Sequence, residues 1–123
     1  MKNLKKSIGF DLGTSKWRFY KEGLQIANFP ARIDVDGKTH DRIMMNGQIA
    51  DFYCVDQLLR QTIRKVQKPF LGFLYPTFNA LVSIPCDVSD VSVRAFHDAM
   101  ELAGARSCTL VDDCFVAAAG LGV

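Results

Sequence analysis

The chain has 123 residues, enough for one ordinary domain with a small hydrophobic core. Hydrophobic residues make up 49% and charged residues 23%, the balance of a soluble globular protein. The net charge of +2, from 15 basic and 13 acidic residues, is too weak to argue for a nucleic-acid partner.

In chain order, the basic start Met1–Ser7 is followed by no long apolar run, so no signal peptide is expected, and no stretch approaches the roughly 18 consecutive apolar residues of a membrane span. Ile8 to Tyr20 reads as two strand arms around a tight Gly-Thr turn. Lys21-Glu22-Gly23 is the next turn. Leu24 to Val35 reads as one or two further strands, closed by the hairpin signal Asp36-Gly37. Lys38 to Gln48 is polar and turn-rich. After Asp51, Val55, Leu58, Leu59, Thr62, Ile63 and Val66 recur at helical steps, with Arg60, Arg64 and Lys65 opposite, and Pro69 closes that helix.

Leu81 to Ile84 is a short buried strand stopped by Pro85. Ser89 is a candidate N-cap for a second helix whose apolar surface comes from Val91, Ala95, Ala99, Met100, Leu102 and Ala103, with Gly104 at its C-terminal cap. Cys108 to Val111 is another buried strand, and Asp113 to Leu121 a small-residue helix. The order β-β-β-α-β-α-β-α predicts a mixed five-stranded sheet with helices packed on it. Its antiparallel part comes first, and right-handed crossovers join the parallel part: a ribonuclease-H-like α/β fold. Cys54, Cys86, Cys108 and Cys114 form no CxxC pair and have no histidine pair nearby, which argues against zinc and for free thiols in a reducing cytoplasm.

Asp11-Leu12-Gly13-Thr14-Ser15-Lys16 carries the most chemistry. Gly13 allows a tight turn with no Cβ between backbone and ligand. Successive N–H groups in such a turn can form an anion-binding concavity. Thr14 and Ser15 add hydroxyls and Lys16 a point charge, while Asp11 at the strand end can hold magnesium through its water shell. The same pattern also occurs in ordinary hairpins.

Three separated blocks resemble one known family. Ile8-Gly9-Phe10-Asp11-Leu12-Gly13-Thr14 is similar to the first phosphate motif of the actin, hexokinase and heat-shock chaperone superfamily. Gly47-Gln48-Ile49-Ala50-Asp51-Phe52, with Ile63-Arg64-Lys65-Val66 in the helix after it, resembles the bacterial actin homologue MreB. So do Ser89-Asp90-Val91, Arg94-Ala95, Asp98-Ala99, Ala103-Gly104-Ala105, Leu110-Val111-Asp112-Asp113 and Ala117-Ala118-Ala119-Gly120.

The resemblance implies an actin-like half-domain over residues 1–123, ATP and Mg2+ as ligands, and partners that are MreB-like or further copies of the chain. It implies Asp11 at the magnesium, Gly13 and Thr14 at the terminal phosphates, and Asp113 in the place of a glutamate that positions the attacking water. Asp112 and Asp113 also suit helix N-capping, and at least one of them is expected to cap.

Departures from the family pattern are concrete. Asp113 is one methylene shorter than glutamate, and Cys114 replaces the usual proline. Lys16 and Trp17 stand where the family has small or amide residues, and the stretch from Asp36 to Gly47 is too short for the family's small outer subdomain. The second, glycine-rich phosphate loop and the second lobe are not expected within these residues, so weak or no ATPase activity is expected of the chain alone.

Pro69-Phe70-Leu71-Gly72-Phe73-Leu74-Tyr75-Pro76 is an apolar loop. It either folds back on the core, extends a strand, or dips Phe70, Leu71, Phe73 and Leu74 into the inner face of the plasma membrane, as some MreB loops do, with Lys65, Lys68 and the basic start adding attraction for anionic lipid.

Four functions are weighed, the first three implied by the resemblance: a truncated or degenerate cytoskeletal ATPase acting by assembly, a non-catalytic module regulating full-length MreB, an ethanolamine-utilisation-type chaperone, and a ribonuclease-H-like nuclease. The last needs converging carboxylates, and on the first helix only Asp56 is available beside Asp11, Asp87, Asp112 and Asp113.

Overall fold

The structure, a computed structural model, describes residues 7–85 and 88–112. In chain order these form β1 (Ser7–Leu12), β2 (Lys16–Lys21), β3 (Leu24–Pro30), β4 (Ile33–Val35), β5 (Lys38–His40), β6 (Met44–Met45), β7 (Gln48–Ile49), α1 (Phe52–Val66), β8 (Phe78–Ile84), α2 (Asp90–Leu102) and β9 (Ala105–Asp112). The mixed five-stranded sheet runs β3-β2-β1-β8-β9. β1 and β2, and β2 and β3, pair antiparallel; β1 and β8, and β8 and β9, pair parallel. The helix expected over Asp113–Leu121 lies outside the described residues.

Short hairpins follow from a repeated local chemistry. Glu22-Gly23, Asp36-Gly37 and Asn46-Gly47 each place two consecutive residues at positive φ. That is the backbone of a two-residue loop whose twist matches its flanking strands. Each pair joins adjacent register partners: Lys21 with Leu24, Val35 with Lys38, and Met45 with Gln48. The stretch Lys38 to Gln48 is therefore not turn alone; it carries β5, β6 and the start of β7. Two-residue strands offer too little alternation to be read from sequence.

One face of the sheet builds the core. Ile8, Phe10 and Leu12 of β1, Trp17 and Phe19 of β2, and Phe78, Ala80 and Val82 of β8 are buried at every second position, which is the strand period. Phe10 sits at the centre, edge-on to Phe19 (ring centroids 4.7 Å apart) and 5.8 Å from Phe78, and Phe29 extends the group at 5.4 Å from Phe19. The Trp17 ring is fully buried, but its indole N–H meets no acceptor among the described residues. An unmade bond of this kind costs about 1–3 kcal/mol, so Trp17 contributes through its apolar ring.

α1 begins at its N-cap Asp51, whose side chain accepts from the Cys54 N–H. It buries Val55, Leu58, Leu59, Thr62 and Ile63 and ends with Arg64 and Lys65, which suit the negative end of the helix dipole. Asp56 is buried on its flank and accepts from Arg60 one turn on, at 2.9 Å. α2 is capped by Ser89 as expected and closes at Gly104, which has φ +105°.

The inward stripe of α2 is Phe96, Ala99 and Met100, rather than one including Val91 and Leu102, which are exposed. Val91, Ala95 and Leu102 lie on a neighbouring stripe of the helix, and the larger Phe96 ring decides which stripe faces the sheet. Replacing Phe10 with Ala should lower the unfolding free energy by about 3–5 kcal/mol in urea, whereas Leu24→Ala on the exposed end of β3 should change it by no more than about 0.5 kcal/mol.

Candidate functional site

The Gly13–Lys16 turn is fixed from both sides. Burial of Leu12 ends the inward run of β1, and burial of Trp17 restarts it in β2. Between them the Gly13 N–H donates to the Lys16 carbonyl at 3.0 Å. A Cβ on Gly13 would stand 2.7 Å from that same oxygen, so only glycine fits without moving the backbone. The Ser15 carbonyl accepts from the Ala31 N–H at 2.9 Å, which ties the turn to the end of β3. Thr14, Ser15 and Lys16 are exposed. Among the described residues, the N–H groups of Thr14 and Ser15 form no hydrogen bond.

Asp11 alternates with the buried residues of β1 and so faces away from the core. It stands across from Arg18 on β2, with the carboxylate 3.5 Å from the guanidinium. Both side chains are about 40% exposed, so the pair is a solvated one of small net worth.

Parallel pairing puts the C-terminal ends of β1, β8 and β9 at one edge. Phe10, Val82 and Leu110 stand level across the three strands, and Ile84 pairs with Asp112 beyond them. The Gly13–Lys16 turn and the end of β9 therefore share an edge, two strand spacings or ~10 Å apart. Asp113, expected to position a water, lies outside the described residues. Cys86, Asp87 and Cys114 lie outside them too.

Phe70 and Leu74 exchange backbone hydrogen bonds (2.6 and 3.1 Å) around a three-residue turn. Leu71 at φ +58° and Gly72 at φ +82° make its bend. Phe70 (52% exposed), Leu71 (78%), Phe73 (71%) and Leu74 (41%) stand out in solvent, so the loop does not fold back on the core. Its base is held: the Arg64 guanidinium lies 5.6 Å over the Tyr75 ring, and the Gln67 amide donates to the Pro76 carbonyl at 3.1 Å. Because the loop leads into the start of β8, it leaves the sheet at the end opposite the Gly13–Lys16 turn.

Neither described cysteine is a ready nucleophile. Burial, then the hydrogen bond and charge of Asp51, push the Cys54 thiol up; burial pushes Cys108 up to about 11. Both therefore stay protonated at neutral pH.

A family model described as MreB/Mbl protein matches residues 34–123. The cell shape-determining protein MreB of Escherichia coli (strain K12) is 33% identical over 82 residues, which cover 67% of this chain and 23% of that protein. The MreB of Pasteurella multocida (strain Pm70) is 33% identical over 79 residues, 64% of this chain and 22% of its own. The chain thus spans about a quarter of the length of these curated relatives.

Among solved structures, MreB 5 of Spiroplasma citri bound to AMPPNP superposes with a TM-score of 0.74 at 19% identity, over 95% of this chain and 41% of that one. The ethanolamine utilization protein EutJ of Carboxydothermus hydrogenoformans gives 0.60 at 24% identity, over 94% and 40%. Both likenesses are of fold. On the geometry of the turn, Gly13→Ala must displace the Lys16 carbonyl and should lower the unfolding free energy by about 1–3 kcal/mol in urea, without a change in the denaturant slope.

Proposed function

The chain belongs to the MreB/Mbl family, and on that premise we propose that it carries the first phosphate-binding turn of a nucleotide-responsive protein that assembles with MreB or with itself. One observation carries the reading: the N–H groups of Thr14 and Ser15, unbonded among the described residues and beside Lys16, at the edge where three parallel strands end. Phosphate oxygens accept from such N–H groups, and the Lys16 ammonium adds a charge that needs no fixed geometry.

ATP supplies the phosphates and Mg2+ their neutralisation. Asp11 would hold the ion through water, and it turns toward the ion only by giving up part of its contact with Arg18. Asp113, one residue past the end of β9, is the candidate for positioning a water.

The described residues supply one wall of such a site. A turn wet on its outer side binds phosphate weakly, because water screens each charge. Tight nucleotide binding therefore depends on a facing wall outside the described residues, and the chain alone is expected to have marginal ATPase activity at most.

The exposed apolar tip Phe70–Leu74 supports a second contact, with an anionic membrane surface. No helix among the described residues is long and apolar enough to cross a membrane, so this contact is a shallow dip by the loop. Phe70, Leu71, Phe73 and Leu74 supply the apolar surface, and Lys65, Lys68 and the basic residues Lys2, Lys5 and Lys6 are candidates to add charge.

Two measurements test these readings. In co-sedimentation with a full-length MreB, the chain should pellet more in Mg-ATP than without nucleotide, and Lys16→Ala should reduce the difference. Equal pelleting in both conditions would favour a regulatory module indifferent to nucleotide. With anionic liposomes, Phe70→Ser/Phe73→Ser should bind several-fold less than the unaltered chain; equal binding would remove the membrane contact.

A further inference from the structure

At the start of α1, three side chains from different places in the sequence converge. His40 closes β5, Asp51 caps α1, and Cys54 lies in the first turn of α1. One imidazole nitrogen, one carboxylate oxygen and the thiol sulfur all lie within 4.8 Å of one another. We propose that His40, Asp51 and Cys54 bind a tetrahedral transition metal of the zinc class, which would staple the β4–β5 hairpin to the start of α1.

The donor set fits that class. Imidazole, carboxylate and thiolate together suit zinc or cobalt, whereas magnesium and calcium take oxygen alone. Ligand bonds of 2.0–2.3 Å put tetrahedral donor atoms roughly 3.3–3.8 Å apart, so no separation has to close by more than about 1.5 Å. His40 can supply that movement: it is half-buried at the end of a short hairpin, while Cys54 is buried and held by the helix.

Asp51 is already oriented for the task. One of its oxygens accepts from the Cys54 N–H at 3.1 Å, the carboxylate also takes the thiol hydrogen bond that an ion would replace, and its own N–H donates to the Ile43 carbonyl at 3.1 Å. Fixed outer bonds of this kind hold ligands ready. The helix N-terminus opposes a cation, and burial with Asp51 keeps Cys54 a thiol until an ion replaces its proton. Binding releases the thiol proton to solvent, and the fourth coordination position falls to water or to a partner's side chain.

The test is a cobalt(II) titration of the 123-residue chain after chelator treatment. The expected result is a thiolate-to-cobalt charge-transfer band with tetrahedral ligand-field bands, saturating at one equivalent and displaced by zinc. Cys54→Ala should abolish the bands, and Cys108→Ala should keep them. His40→Ala should weaken binding by about 100-fold or more, since even outer-sphere partners are worth 10–100-fold.

Asp51→Asn separates the roles. Asparagine caps a helix as well as aspartate, so thermal stability without metal should hold while metal affinity falls by a similar factor. No cobalt bands, bands that survive Cys54→Ala, or affinity unmoved by both His40→Ala and Asp51→Asn would overturn the proposal.

Discussion

The register of β1 governs the rest of the molecule. Ile8, Phe10 and Leu12 must all face the helices, and Phe10 has aromatic neighbours on β2 and β8 at once. A slip of one residue would turn that face to solvent and bring Asp11 into the core, with the desolvation that implies. Held this way, β1 delivers Leu12 as its last buried residue and Gly13 as the first of the turn. The N–H groups of Thr14 and Ser15, unbonded among the described residues, follow from packing some distance away. The chemistry of the turn is thus positioned by aromatic contacts that touch no ligand.

The two halves of the sheet are built by different means. The antiparallel part is local: three strands joined by a short loop or turn, each pairing with its sequence neighbour. The parallel part is not local, because β8 reaches β1 only after four short strands and α1 have been made. The hairpins of β4 to β7 contribute Ile33, Ile43 and Met44 to the same core. They are also tied to their surroundings by polar bonds: Ala50 and Asp51 N–H groups to the Ile43 carbonyl, and the Ser92 hydroxyl to the Gln48 side chain. This region acts as a brace between the sheet and both helices.

Strong local signals made much of this legible in the sequence. Apolar steps over Val55–Val66, Ser89 before a helix, Gly104 after it and Asp36-Gly37 all carry their own stereochemistry, and each appears where the residues imply. The five-stranded mixed sheet followed from element order. Other features depend on the tertiary structure. Val91 and Leu102 are as apolar as the residues that α2 buries, and only competition with Phe96 leaves them outside. The pairing of Asp11 with Arg18 requires the β1–β2 register. His40, Asp51 and Cys54 carry no spacing motif, because a hairpin and a helix cap bring them together. The loop Phe70–Leu74 reads as apolar in sequence, but its exposure comes from the bend at Leu71 and Gly72.

The strand directions also give the domain a polarity. β8 has seven residues and spans about 20 Å; the apolar loop leaves from one end of it and the Gly13–Lys16 turn lies at the other. Ligands at these two places cannot touch, so neither excludes the other by bulk. On the functions proposed for them, occupying both at once would require only that the chain stand upright, with the apolar tip toward one phase and the turn toward the opposite side. Both β8 and α1, whose last turn holds the base of the loop, run from one end to the other.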